Sequence, residues 1–227
     1  MVTLCIPRKD IRFIYNKVKG DREWGGYYIY NKSKIVRKTF KGEEMSVNVP
    51  IQDFYNIHWH THPYDLIEHN ITSPIQMPSV EDIAMTSYKY FMDIPLGRTN
   101  LIHVVFTTNG IYVQKPIPEI LDNFFKTPRY TIKTEKKSDI KTDKGLAIWE
   151  NKWYNRFERE ASHFGVDIAG VFWDAKYNNK TQTTQETFKK AFEIEKQFFQ
   201  KCEEFGVKVT KLTNWNTLLK KGLCVEY

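Results

Sequence analysis

Hydrophobic and polar positions follow two different patterns along this chain. Up to about residue 130 the apolar residues come in short runs, "GGYYIYNK" (25–32), "KIVRKTF" (34–40) and "MSVNVPI" (45–51). These runs are rich in aromatic and β-branched side chains and are separated by turn residues, which predicts a meander of strands. "FYNIHWHTH" (54–62) continues that pattern. "SVEDIAMTSYKYFMD" (79–93) has helical spacing instead, and "NLIHVVFTTNGIYVQK" (100–115) predicts a hairpin turning at Asn109-Gly110. From residue 145 the character changes. "GLAIWENKWYNRFEREASHFG" (145–165) and "TQETFKKAFEIEKQFFQKCEEFG" (184–206) read as amphipathic helices. Each ends at Phe-Gly and runs into a Val-led segment, "VDIAGVFW" (166–173) or "VKVTKL" (207–212). That predicts an αβαβ arrangement, with a right-handed crossover if the two strands are parallel. The repeated Phe-Gly reads as two helix C-caps, where glycine is the preferred residue.

The expected fold class is α/β (α+β). A domain over 1–130 is followed by a charged linker at 131–144 and an α/β region over 145–227. A chain of 227 residues can bury a real core, and 41% hydrophobic with 27% charged residues excludes disorder. No apolar run reaches the length of a membrane span, and "MVTLCIPRKDIRF" lacks the apolar stretch of a signal peptide. The expectation is a soluble, intracellular, cytoplasmic protein with no membrane partner. Cys5, Cys202 and Cys224 are odd in number and far apart, so neither a disulfide framework nor a thiolate zinc site is expected. The net charge of +7 is spread along the chain, with one dense patch, "KTEKKSDIKTDK" (133–144). That patch alternates signs and holds no aromatic residue, so it reads as a solvated linker and not as a nucleic-acid surface.

Candidate chemistry sits in "NIHWHTHPYD" (56–65). His58, His60 and His62 recur at a period of two, which on a strand places all three on one face. They could share a metal, line a polar cleft or lie on a wet surface. Hydrolytic zinc sites take three protein ligands and leave the fourth position to water. His60 and His62 can supply two, so a third ligand and a general base are needed. Ser79-x-x-Asp82, ahead of an apolar-periodic run, reads by itself as a capping box. Glu23, in "REWGGYYIY", stands at the mouth of a strand and is by itself an ordinary glutamate.

Together, Glu23-x-x-Gly26, His60-Thr61-His62-Pro63 and Ser79-x-x-Asp82 resemble the signature of the JAMM (MPN-plus) zinc metalloprotease family, over roughly residues 10–115. The resemblance implies an MPN-type mixed sheet flanked by helices. It implies one Zn2+ held by His60, His62 and Asp82, with Glu23 as general acid/base and Ser79 supporting the oxyanion. His58 is then expected beside the metal and not as a fourth ligand, which would close the site to water. The implied reaction is hydrolysis of peptide or isopeptide bonds in a tail-bearing protein substrate, such as a conjugate of ubiquitin or a ubiquitin-like modifier. The alternative is an MPN-fold structural or assembly protein whose metal site is not catalytic. Glu23 favours the enzyme, because a metal-stabilised scaffold needs no general base. Residues 145–227 are expected to recognise a partner and to give no catalytic group, with His163 near a helix C-terminus. The spacer "YDLIEHNITSPIQMP" (64–78) is either a surface insertion or a flap over the cleft.

Overall fold

The computed structural model describes residues 3–31, 34–43, 46–49, 56–63, 75–93, 101–125, 143–178 and 184–226. Its strands are β1 (Thr3–Ile6), β2 (Trp24–Asn31), β3 (Lys34–Lys41), β4 (Ile57–Thr61), β5 (Ile102–Thr107), β6 (Gly110–Pro116), β7 (Val207–Leu212) and β8 (Leu223–Glu226). Six form a sheet in the order β3-β2-β4-β5-β6-β7, and β1 pairs with β8. β2 is antiparallel to β3 and β4, whereas β4 and β5 are parallel. The fold is therefore mixed α+β, with a mixed sheet and helices. The chain divides into two compact units, one of residues 1–76, 100–113 and 210–227 and the other of 77–99 and 114–209.

In the first unit, alternation along the strands separates two faces. Tyr28, Ile57, Trp59, Ile102, Val104 and Phe106 share a core with Ile11, Ile14 and Val18 of helix α1 (Arg8–Val18). Adjacent residues point the other way, so His58, His60 and His103 lie on the opposite face with Tyr27. All five residues of β4 are buried, so both of its faces are covered. Gly26 opposes Trp59 across β2 and β4. A Cβ there would stand 2.2 Å from the Lys38 carbonyl oxygen and 3.0 Å from the Trp59 ring, so only glycine lets the indole lie against the strand.

Three expectations are corrected within this unit. Helix α1 was not expected. Ser46–Val49, inside the third anticipated strand, is irregular. Cys5 and Cys224 form a disulfide across the β1–β8 pair, where they are register partners. The two cysteines stand 219 residues apart in sequence, and only the pairing of the terminal strands brings them together.

The second unit is helical: α2 (Val80–Asp93), α3 (Pro118–Phe124), α4 (Asp143–Trp149), α5 (Asn155–Ala161), α6 (His163–Trp173) and α7 (Gln185–Glu204). Residues 166–173, expected as a strand, belong to α6. The physical reason is the burial stripe Trp153, Phe157, Ala161, Phe164, Ile168, Phe172 and Ala175, spaced three or four residues apart straight through Gly165. A strand burying Ile168 would bury Val166 beside it, yet Val166 is 71% exposed. The αβαβ arrangement is thus replaced by helices leading into one strand, β7, and the described parallel pair is β4–β5. The second Phe-Gly is a helix end as expected. Gly206 has φ +84, and its amide donates to the Glu203 carbonyl at 2.9 Å.

Helix α4 begins at Asp143, inside the anticipated charged linker, while 126–142 lie outside the described residues. The proposed flap is also outside them from residue 64 to 74. Among the described residues no helix is long and apolar enough to cross a membrane. Helix α8 (Trp215–Lys221) completes the chain before β8.

Candidate metal site

The register of β2 on β4 places the first candidates. Gly25 opposes His60, and Tyr27 opposes His58. Carried two residues further, the same antiparallel register sets Glu23 opposite His62, on the histidine face. The Trp24 amide donates to Thr61 Oγ1 at 2.9 Å, which agrees with that extension. Glu23 is held through its backbone as well. Its amide donates to the Glu43 carbonyl at 2.8 Å, and its carbonyl accepts from the Gly42 amide at 2.9 Å. Its side chain sits in a largely buried position, 9% exposed. The His62 amide donates to the Phe106 carbonyl at 2.9 Å, so His62 remains tied to β5 just beyond β4.

The imidazoles form a chain of close nitrogens. His60 Nε2 lies 3.1 Å from His62 Nε2, and His60 Nδ1 lies 3.1 Å from His103 Nε2. The His58 ring packs on His103, with centroids 4.7 Å apart. His60 and His103 are 6% and 2% exposed, while His62 is half-buried. A nitrogen pair at 3.1 Å is either an N–H···N hydrogen bond or two ligands converging on one cation. Two imidazoles on a tetrahedral zinc, with bonds near 2.0–2.1 Å, hold their nitrogens about 3.3 Å apart. The His60–His62 pair fits that donor geometry.

Ser79 and Asp82 open α2 as a reciprocal cap. The Ser79 amide donates to Asp82 Oδ2 at 2.7 Å, and the Asp82 amide donates to Ser79 Oγ at 3.1 Å. The capping-box reading therefore holds, with Asp82 in the place of the usual Glu or Gln. Among the described residues, His58, His60 and His103, all in the first unit, could take a metal ion. Asp82, the third ligand that the resemblance implies, belongs to the second unit.

His103 is the residue that sequence reasoning missed. It sits in "LIHVVF" as one histidine in an apolar strand. Only the parallel register, which pairs it with His58, puts it among the others. His163, expected near a helix C-terminus, instead opens α6 and packs on Phe164 with ring centroids 4.2 Å apart. No family model, curated protein or solved structure matches this chain.

Proposed function

We propose that this protein is a zinc-dependent peptidase or isopeptidase of the JAMM type on an MPN-type fold, acting on a tail-bearing protein substrate such as a conjugate of ubiquitin or a ubiquitin-like modifier. The observation that carries the reading is the His60–His62 nitrogen pair on the face to which the strand register assigns Glu23. His60, His62 and Asp82 would hold the metal, a three-ligand set of the kind that hydrolytic zinc sites use. Zinc in such a site supplies Lewis acidity, lowering the pKa of water from 15.7 to about 7 and polarising a carbonyl.

The chain's own groups do the rest. Glu23 accepts a proton from the attacking water and returns it to the leaving amine, a contribution of roughly 10² to 10⁴ in rate. Ser79 Oγ accepts from the Asp82 amide, so its hydroxyl hydrogen can turn toward a developing oxyanion. A well-aimed donor of that kind is worth about 3 kcal/mol. Asp82 Oδ2 accepts from the Ser79 amide in the helix cap, and the same carboxylate would be the third ligand in this reading.

The test is metal analysis of the purified chain combined with a panel of ubiquitin-like conjugates and short peptides. About one zinc per chain, lost in the His60→Ala, His62→Ala double variant together with hydrolysis, supports the reading. Full zinc occupancy in that variant refutes the ligand assignment. Zinc bound by His60 and His62 with no hydrolysis of any conjugate points to the assembly-protein alternative.

A further inference from the structure

The nitrogen of His60 that points away from His62 has a buried partner. Nδ1 stands 3.1 Å from His103 Nε2, on the neighbouring parallel strand. We infer that His103 is a positioning residue for the metal, accepting a hydrogen bond from His60 Nδ1–H and so holding the His60 ring and tautomer in the ligating state. The inference rests on the proposed use of His60 Nε2 as a zinc ligand.

A neutral imidazole carries one proton. When Nε2 gives its lone pair to a metal, that proton must be on Nδ1, and a buried Nδ1–H needs an acceptor. His103 Nε2 is placed to be that acceptor. Its own neutral form then carries the proton on Nδ1. The reverse arrangement, with His103 Nε2–H donating to His60 Nδ1, leaves the proton on His60 Nε2 and blocks the metal.

The surroundings explain why the acceptor is firmly placed. His103 is 2% exposed and lies inside β5, where its pairing to His58 is one step of a five-residue parallel register. Its ring is also packed, with centroids 4.7 Å from His58 and 5.2 Å from His60. A ring enclosed in this way cannot swing to release His60 without disturbing the strand. This gives the histidine missed in the sequence a task different from ligation, although His58, His60 and His103 also form a potential metal set.

The experiment compares zinc affinity, by chelator competition, in the full chain and in three variants. His103→Leu removes the acceptor and keeps apolar bulk, whereas His103→Gln restores an acceptor oxygen. Asp82→Asn tests the ligand set. The expected result is about one zinc in the parent, affinity weakened about 10- to 100-fold in His103→Leu, and partial recovery in His103→Gln. Nitrogen-15 spectra of the zinc-loaded parent should show a proton on His60 Nδ1, a readout that does not depend on any variant folding. Parent-like affinity in His103→Leu overturns the positioning role while leaving the zinc reading standing. So does a bare His60 Nδ1 in the loaded parent. Zinc lost in His103→Leu but kept at full affinity in Asp82→Asn makes His103 a ligand and overturns the inference. A parent that binds no zinc removes the underlying reading, and this inference with it.

Discussion

Gly25 opposes His60 across β2 and β4, and a side chain at Gly25 would meet Val49 at 2.6 Å and Val47 at 3.0 Å. Val47 and Val49 thus cover β2 closely at Gly25, and the register of β2 on β4 sets the face on which Glu23 stands. Glu23→Gln should keep both zinc and fold, since the amide has nearly the shape of the carboxylate. An amide cannot accept the water's proton, so hydrolysis should fall by about 10² to 10⁴. Steady-state kinetics with parallel metal analysis decides it. Activity surviving the change would assign the base to another carboxylate.

The reciprocal cap at the start of α2 allows structure and chemistry to be separated. Ser79→Ala loses the hydroxyl that accepts from the Asp82 amide and should cost about 1 kcal/mol of stability. Zinc content should not change. Asp82→Asn retains an oxygen to accept from the Ser79 amide, so the metal-free protein should keep its stability within about 0.5 kcal/mol. Its zinc affinity should drop sharply. Denaturant midpoints and zinc competition on both variants test this; the same pattern in both would show that Asp82 serves only the helix.

Local signals in the sequence carried much of the fold. Period-two histidines, the Ser79–Asp82 cap, the Thr108–Asn109 turn into Gly110 and the Gly206 helix end each involve residues a few positions apart, where sequence spacing fixes geometry. What failed was long-range. His103, 43 positions from His60, meets it through the parallel pairing of β4 with β5, and Cys5 meets Cys224 through the terminal strands. Residues 166–173 failed for another reason. A Val-led apolar segment after Phe-Gly suits a strand or a buried helix, and only the stripe running from Trp153 to Ala175 arbitrates.

The disulfide closes nearly the whole chain, so it should restrict the unfolded ensemble strongly. A cross-link over a loop of this length is worth about 2–5 kcal/mol. Reductant should therefore lower the thermal midpoint by roughly 5–15 °C. The Cys5→Ser, Cys224→Ser double variant should start at the lower midpoint and ignore reductant. A parent that melts identically with and without reductant would show that the bond contributes no stability. Cys202 should not react in the folded state, because burial pushes its thiol well above the usual range.

Tyr30 gives a prediction at alkaline pH. Its hydroxyl donates to the Cys5 carbonyl, and burial pushes its pKa up to about 12. An unfolded tyrosine titrates near 10. Below about pH 10 both states are neutral and the contribution is fully present. Above that the unfolded state ionises first, so stability is lost as pH rises from about 10 to 12. Tyr28 is raised in the same direction by burial and adds to the loss. Tyr30→Phe should show a smaller fall in denaturant midpoint between pH 9 and 11 than the parent does. Equal falls would mean that Tyr30 titrates as in the unfolded chain.

The course of α6 can be tested with two neighbouring residues. On a strand, positions 166 and 168 share a face, so Val166 and Ile168 should respond alike to substitution. On a helix they stand about 200° apart, since each residue turns about 100° at 3.6 per turn. Ile168 is 2% exposed, whereas Val166 is 71% exposed. Ile168→Ala should then cost about 2–5 kcal/mol through lost burial and the cavity left behind. Val166→Lys should change stability by less than about 0.5 kcal/mol, because the ammonium stays in water. Circular dichroism would show helix retained in Val166→Lys, and denaturation would give the two costs. A Val166→Lys protein destabilised as much as Ile168→Ala would restore the strand over 166–173.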